Sequence, residues 1–497
     1  MAPGKELGFG KGLVVVVFAA VIFFPALAWC EPAATKPLDC GELMGWLIGG
    51  IASPRLDHLI QQRGVVFTVD DDAGKALLQA GAAPGLVADL RTKRSANTER
   101  ESTDCPAPLI EAATQSHLRH YQEAERILRR LVTDDSHNPA LHFALGFLRQ
   151  KQQDWDEARD QYQQSEAGGT GFLEVHNRLS YSFYRSGDEV NAIAEARTAL
   201  SMDPQNAEAY RNVGLGLYSS GDYAGAIHAF RESLVRNPRA AYVHYDLGIA
   251  LHDIGNSDAA AAEYRQALRL DRHLWEAHSN LGIVLHETGK LDEAIAEYHF
   301  AKRLAPHEPT VRNNLANTYC DRGDFDAAIR EFRELYRMNP DWQQGHDRMA
   351  KAFMAKRDYQ AAILQLRQAI LQNPRGSVEH RVLGQALLLI NQREEAIGEL
   401  RQAVALDPDS PLAHHYLGAA LFELRRLEEA ALEFREALRL EATADDHYDL
   451  AACLMSMGHN DDALAEMEIA TRMAPGQELY RARREELIRL MGTQAAR

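Results

Sequence analysis

Histidine recurs at one fixed phase of this sequence, and imidazole suits both metal binding and proton exchange near neutral pH. The column consists of His142, His176, His244, His278, His346, His380, His414 and His447. If these residues occupy equivalent places in successive helical units, neighbouring rings lie about 10 Å apart. Because zinc–nitrogen bonds are only about 2.0–2.1 Å long, two such rings cannot share one ion. We therefore predict no metal site and no cofactor, and we interpret the column as half-buried rings between helices.

Sequence motifs for catalysis do not occur. The chain contains neither a His-Glu-x-x-His pair nor a Gly-x-Ser-x-Gly elbow. The glycine-rich residues 168–171 fall in a turn between helical units rather than after a strand, so they match a phosphate loop poorly. We predict that the chain is not an enzyme.

The spacing of small residues predicts the elements that position these side chains. Alanine recurs nine times at a step of 34 residues and then once at 33. This alanine column is Ala124, Ala158, Ala192, Ala226, Ala260, Ala294, Ala328, Ala362, Ala396, Ala430 and Ala463. Twelve residues before each alanine stands a second small residue, the first-helix small column: Ala112, Gly146, Ser180, Gly214, Gly248, Gly282, Ala316, Ala350, Gly384, Gly418 and Ala451.

Each unit is therefore predicted to be two antiparallel helices joined by a short turn. Glycine often follows the first-helix small column by seven residues, which marks the turn. A large apolar residue follows ten of the eleven alanines by four, on the same helix face, and we expect it to fill the gap to the next unit. One unit cannot bury its own apolar face, so the units must stack.

These columns resemble those of the tetratricopeptide repeat (TPR) family over residues 105–477, which we count as eleven repeats, the first degenerate. The resemblance implies an all-α fold, a right-handed α-solenoid (superhelix) of TPR helix pairs. Residues 40–94 are predicted to be a separate small helical module, with Ser53 as the N-cap of its second helix and a short extended piece at 65–69. Residues 478–497 are predicted to be a C-terminal capping helix and tail.

In the TPR family, the position two residues before the first-helix small column lines the concave face. In the repeat domain of O-linked N-acetylglucosamine transferase it carries asparagines that hold peptide backbone, since an amide both donates and accepts. The resemblance implies a peptide-binding groove, whose candidates at this position are Arg178, Asn212, Asp246, Asn280 and Asn314. Further candidates on the first helices are Tyr184, Arg211, Tyr218, Tyr245, His252, His286, Asn313 and Asn317. The alternative is that these are solvated polar residues with no ligand.

The net charge of the chain limits the classes of partner that it can bind. A formal net charge of −17 would repel nucleic acid and an anionic membrane surface, so neither is a predicted partner. Asp253, Glu287 and Asp321 make the middle of the predicted groove acidic, which favours a protein or peptide partner carrying Lys or Arg.

The first residues read as an export signal. Lys5 and Lys11 precede an apolar run at 13–24, which is followed by small residues up to Ala28. We predict a signal peptide at 1–28 and linkers at 29–39 and 95–104. An uncleaved membrane anchor and lipidation at Cys30 are the alternatives, and all three place the protein outside the cytoplasm, in the periplasm or secreted. There Cys40 and Cys105 can form a disulfide, with Cys30 as a rival partner.

The predicted function is that of a non-catalytic scaffold that binds a protein or peptide in a concave groove, outside the cytoplasm. Two alternatives remain open. The array can serve envelope assembly through its convex or edge surfaces. It can also be the regulatory subunit of a separate enzyme, such as a glycosyltransferase.

Overall fold

The computed structural model describes residues 37–92, 105–168 and 172–495. The predicted signal peptide and nearly all of the two predicted linkers lie outside these residues. The described residues form 27 α-helices and no β-strand, with one isolated parallel bridge between Leu38 and Val65. No described helix is both long enough and apolar enough to cross a membrane.

The N-terminal module has four short helices. They are α1 (Cys40–Ile48), α2 (Ser53–Arg63), α3 (Asp71–Gln79) and α4 (Pro84–Thr92). Two details differ from the prediction. The N-cap of α2 is Ala52, because the Ser53 hydroxyl instead accepts a 2.9 Å hydrogen bond from the Ala83 amide. Residues 65–69 form no strand, because only Val65 finds a bridge partner.

Eleven helix pairs follow, as predicted. Their first and second helices are α5 (Ala107–His117) and α6 (Tyr121–Asp134), α7 (Pro139–Lys151) and α8 (Trp155–Ala167), α9 (Leu173–Arg185) and α10 (Glu189–Met202), α11 (Ala207–Ser219) and α12 (Tyr223–Arg236), α13 (Ala241–Asp253) and α14 (Ser257–Leu270), α15 (Trp275–Glu287) and α16 (Leu291–Leu304), α17 (Pro309–Arg322) and α18 (Phe325–Met338), α19 (His346–Ala355) and α20 (Tyr359–Gln372), α21 (Ser377–Leu389) and α22 (Arg393–Leu406), α23 (Pro411–Glu423) and α24 (Leu427–Leu440), and α25 (Ala444–Ser456) and α26 (Asn460–Met473). The fold is therefore an all-α repeat solenoid preceded by a small helical module.

The turn inside each pair has one conformation throughout. The seventh residue after the first-helix small column has a positive φ in all eleven pairs, between 60° and 86°. Glycine holds this position in six pairs, for example Gly289 with φ 76°. Five pairs place another residue there, such as Arg119 with φ 65°. The turn geometry is thus set by the helix packing and persists where the favourable glycine is absent.

Contact between small and large side chains holds each pair together. All eleven alanines of the alanine column are 0% exposed. In six pairs the large residue four positions beyond the alanine packs over the glycine of the first-helix small column of its own pair. It also reaches the next unit, as expected: Tyr264 and Tyr298 make hydrogen-bonding contacts with Asn280 and Thr318 of the following pair. A Cβ added to Gly214 would lie 2.5 Å from Phe230, and one added to Gly282 would lie 2.7 Å from Tyr298. The glycines let the backbone of the first helix approach the ring closely.

The described residues form two compact units, which divide between Met202 and Asp203. In the first unit the N-terminal module and the first three pairs share one hydrophobic core, so the module is not a separate unit. Trp46 of α1 lies 4.8 Å from Phe143 and 4.3 Å from Phe172, centroid to centroid. A disulfide joins Cys40 to Cys105, the pair singled out from the sequence, with Cα atoms 5.2 Å apart.

The second unit ends in the helix α27 (Glu478–Ala495). Tyr480 and Leu487 are buried against the stack, whereas Leu479 and Leu490 are 55% and 47% exposed. The helix therefore covers the last pair with one apolar stripe, and its outer face is mixed rather than purely polar.

We predict opposite effects of alanine at two helical glycines. Gly282→Ala places a methyl group within 2.7 Å of Tyr298 and should destabilise the chain by about 1–3 kcal/mol through overpacking. Gly398→Ala, on an exposed helix position with no atom within 4 Å of the added Cβ, should stabilise it by about 0.5–1 kcal/mol. Urea denaturation followed by circular dichroism measures both changes. A stabilising Gly282→Ala would show that the ring does not rest on the helix backbone.

Candidate binding face

Adjacent first helices of the second unit are joined by polar pairs 35 residues apart in sequence. Arg211 Nε donates to Asp246 Oδ2 at 2.6 Å. The hydroxyl of Tyr218 bonds the carboxylate of Asp253. The Nε2 atoms of two histidines lie beside carboxylates, His252 at 2.7 Å from Glu287 and His286 at 2.8 Å from Asp321. We call these contacts the cross-repeat pairs. Five of the predicted groove candidates take part in them.

The cross-repeat pairs change the expected character of the face. The three carboxylates expected to make the groove acidic, Asp253, Glu287 and Asp321, each have a partner on the neighbouring helix, so the geometry gives a basic partner no support. Asp246 is only 8% exposed, and burial raises its pKa although Arg211 opposes the shift. Asn212 is 2% exposed and lies inside the helix packing, so it is not a groove ligand.

A cleft of about 330 Å³ opens on this face between α13, α15 and α17. It brings together four residues predicted from the sequence, namely Tyr245, Asn280, Asn313 and Asn314. It also includes residues that were not predicted: Trp275, Glu276, Ser279, Ile283, Thr310 and Gln344. The cleft thus combines an aromatic wall with a concentration of side-chain amides.

The amides of the cleft have hydrogen-bonding capacity to spare. The side chain of Asn314 makes no hydrogen bond to the described residues. That of Asn280 donates a long bond of 3.5 Å to the Tyr245 hydroxyl and also makes a hydrogen-bonding contact with Tyr264. The Oδ1 atoms of Asn313 and Asn317 are buried without a hydrogen-bond partner in the described structure. Buried amides normally find partners, so these two oxygens are exceptions within the helix packing behind the cleft.

Two predicted groove residues, Arg178 and Tyr184, belong to the first unit. Arg178 lies with its guanidinium carbon 5.9 Å from the centre of the Phe147 ring. The ring of Tyr184 lies 6.0 Å from that of Tyr181. Neither residue takes part in a cross-repeat pair, and neither lies at the cleft described above.

The histidine column has a structural partner that was missed. In all eight cases Nδ1 lies 2.5–2.8 Å from a side-chain oxygen on the second helix of the same pair. The residue that carries this oxygen follows the histidine by 19 positions. That residue is Glu in six pairs and Gln in two, Gln161 and Gln365. In five pairs Nε2 also lies 3.0–3.4 Å from the backbone carbonyl six residues earlier. Glu follows His by 19 residues in six repeats of the sequence, and this spacing could have predicted the contact.

One member of the column has a second carboxylate. His176 Nδ1 lies 2.7 Å from Glu195 and 3.9 Å from Glu166. These three donor atoms lie within 4.8 Å of one another, and no other such group of potential metal ligands occurs in the described part of the chain. The hydrogen bond that the ring donates to Glu195 raises the pKa of His176, burial opposes the shift, and the charges of Glu195 and Glu166 add to it. The carboxylates thus favour a proton on the ring.

The unpredicted cleft residues have two origins. Trp275, Glu276 and Ser279 lie within five residues of Asn280 on α15, so helical spacing around the asparagine could have found them. Gln344 comes from the loop before α19, which starts late, at His346. This loop lies outside the regular repeat positions, so the repeat pattern could not predict that Gln344 borders the cleft.

Family models describe the same helix pairs. A tetratricopeptide repeat model matches residues 148–207, 177–241, 214–273 and 245–309, and a second tetratricopeptide repeat model matches residues 310–339. A TPR repeat model matches residues 384–425. The chain is a tetratricopeptide repeat protein. No curated protein sequence matches this TPR protein significantly.

Several solved structures share the repeat fold. The Cut9–Hcn1 hetero-tetramer of APC/C aligns over 63% of this TPR chain and 62% of its own, with 18% identity and a TM-score of 0.43. MamA (residues 41 to the end) from Desulfovibrio magneticus RS-1 aligns over 34% and 94%, with 21% identity and a TM-score of 0.33. Pseudomonas aeruginosa pilF aligns over 45% and 96%, with 18% identity and a TM-score of 0.37. The likeness is one of fold alone.

We predict that the His176–Glu195 pair makes stability fall as pH rises. A raised folded-state pKa means that the stabilisation is fully present below the unfolded pKa of about 6.5 and is lost as pH rises through the folded pKa. Glu195→Gln should reduce this loss of unfolding free energy between about pH 6 and pH 9, measured by urea denaturation. Gln occupies the same position in two other pairs, so the variant should fold.

The comparison has an internal control. His176→Gln should flatten the same part of the pH profile, and combining it with Glu195→Gln should add little, because both changes remove one interaction. An unchanged profile in both single variants would show that the pair carries no pH-dependent stability.

Proposed function

We propose that this TPR protein is a non-catalytic scaffold that binds an extended peptide or protein segment at the cleft between α13, α15 and α17, outside the cytoplasm. The observation that carries the proposal is the pair of amides at the cleft, Asn314, whose side chain makes no hydrogen bond to the described residues, and Asn280, which contacts only tyrosines.

Amides suit a peptide backbone because each offers one acceptor and two donor hydrogens, and each peptide unit presents a carbonyl and an N–H. Asn280 and Asn314 occupy equivalent positions in successive repeats, so they can address successive segments of one extended chain. This sequence-independent contact resembles the asparagine ladder implied by the family, reduced here to two accessible members.

Selectivity would come from the cleft walls. Trp275 and Tyr245 provide aromatic surface, which contributes strongly to binding where it is shielded from water. Glu276 is a carboxylate without an ion-pair partner among the described residues. It can accept a hydrogen bond or form an ion pair with a positively charged group. A segment with an apolar side chain between backbone contacts fits this arrangement.

The export proposal rests on the N-terminal sequence pattern and on the disulfide. Disulfides persist in oxidising compartments, and the Cys40–Cys105 bond ties α1 to the start of the repeats. The alternatives are envelope assembly through other surfaces of the array and regulation of a separate enzyme. Exposed apolar side chains on second helices, such as Leu364 and Leu432, are the feature that favours the first alternative.

We predict that Asn280→Ala combined with Asn314→Ala weakens peptide binding. Peptides selected from a random displayed library against the whole chain would be synthesised and measured by fluorescence polarisation. Loss of two hydrogen-bonding side chains, at roughly 1 kcal/mol each, should weaken binding by about tenfold or more. Thermal stability should fall little, because Asn314 makes no described side-chain hydrogen bond and Asn280 contacts only the side chains of Tyr245 and Tyr264.

A matched pair provides the control. Gln368 and Gln402 are exposed amides at equivalent positions of two second helices. Gln368→Ala with Gln402→Ala should leave binding unchanged. If the control pair lost affinity and the cleft pair did not, the second-helix surfaces would be the binding face and the assembly alternative would gain.

We also predict that the mature protein begins at Trp29. Cell fractionation followed by N-terminal sequencing should place it outside the cytoplasm with residues 1–28 removed. An intact N-terminus in the membrane fraction would support the anchor, and an intact N-terminus in the cytoplasm would overturn the export proposal.

A further inference from the structure

Three cationic side chains gather in the first unit. Arg119 lies in the turn between α5 and α6, Lys151 ends α7, and Arg178 lies on α9. The Lys151 amine is 5.0 Å and the Arg178 guanidinium carbon 5.9 Å from the centre of the same ring, Phe147. We call Arg119, Lys151 and Arg178 the cation cluster.

The cation cluster has no counter-charge among the described residues: no carboxylate forms an ion pair with any of its members. Partial burial lowers the pKa of Lys151, and the charges of Arg178 and Arg119 lower it further. Nearby arginines differ in this respect, since Arg149 and Arg129 both pair with Glu125 and Arg55 pairs with Glu174. In a chain of net charge −17, two unpaired cations over one ring, with a third whose charge also acts on the lysine, favour an anion as partner.

The cation cluster borders a cleft of about 360 Å³ between the N-terminal module and the first repeats. Arg119 and Lys151 line it together with His117, while Ile51 and Phe147 give it an apolar wall. Two glycines keep it open. A Cβ on Gly50, which has φ 76°, would lie 2.8 Å from Phe147, and one on Gly81 would lie 2.9 Å from the His117 ring.

We propose that this cleft binds the phosphate monoester of a small organic molecule. A phosphate monoester carries about −1.5 to −2 charges at neutral pH and three acceptor oxygens, which balances two or three cations better than a carboxylate does. The apolar wall accommodates an aromatic or aliphatic body, and the volume falls within the range of small-molecule sites, about 300–1,000 Å³. The site is distinct from the peptide cleft of the second unit.

Isothermal titration of the full chain with phenyl phosphate, at low ionic strength, tests the proposal. We expect one saturable site that binds phenyl phosphate at least tenfold more tightly than benzoate, which has one charge, and more tightly than inorganic phosphate, which has no apolar body. Absence of saturable binding, or equal affinity for benzoate, would overturn the proposal. If inorganic phosphate bound as tightly as phenyl phosphate, the apolar wall would not recognise an organic group, and that part of the proposal would be overturned.

Variants assign the site. Lys151→Met and Arg119→Gln should each weaken phenyl phosphate binding at least tenfold. Lys290→Met, at an exposed lysine of the second unit that has no described ion-pair partner, should leave it unchanged. Without ligand, Lys151→Met should melt at the same or a higher temperature than the wild type, because it relieves repulsion. A lower melting temperature with unchanged phenyl phosphate affinity would make the lysine structural and overturn the assignment.

Discussion

The rest of this structure depends on how closely two helices can approach within one repeat. A ring or a Leu on the second helix rests on a small residue of the first, and an alanine one turn earlier is fully enclosed. At Gly146, Gly214, Gly248, Gly282 and Gly418 a single methyl group would collide with the opposing ring. Because this contact recurs in nearly identical form, each pair positions the next, and the polar residues of the first helices come into register along each unit.

Two sets of polar contacts are built on that register. The His–Glu contacts join the two helices of one pair, and the cross-repeat pairs join first helices of neighbouring pairs. In the second unit both sets use polar side chains of the first helices. The cleft at Asn280 and Asn314 stands out because neither amide belongs to these two sets, and the late start of α19 leaves the loop residue Gln344 beside them. The cation cluster of the first unit also stands out, because its positive charges have no ion-pair partner among the described residues.

The spacing of alanine and glycine was sufficient to predict the eleven pairs and their turns, because packing repeats at a fixed phase. The disulfide rested on a separate argument, from export and the positions of the cysteines, which left Cys30 as a rival partner. Depth of burial could not be predicted in the same way. Asn212 and Asn280 share one phase, yet Asn212 is 2% exposed while Asn280 borders the cleft, because their neighbours differ. The acidic groove failed as an expectation because its carboxylates find partners 35 residues away, across a repeat boundary. Gln344 lies outside every column, and the shared core of the module with the first repeats has no periodic signal.

The two kinds of polar contact differ in what they require when the array changes length. The 19-residue spacing of the histidine contact is contained in one repeat, so duplicating or deleting a whole repeat copies or removes both partners together. A cross-repeat pair such as Arg211–Asp246 straddles a junction, so each new junction must find its own complement. The histidine contact is therefore copied whenever a repeat is copied. The cross-repeat pairs must instead be re-established at every junction between repeats, which explains why the chemistry of the first helices varies along the array.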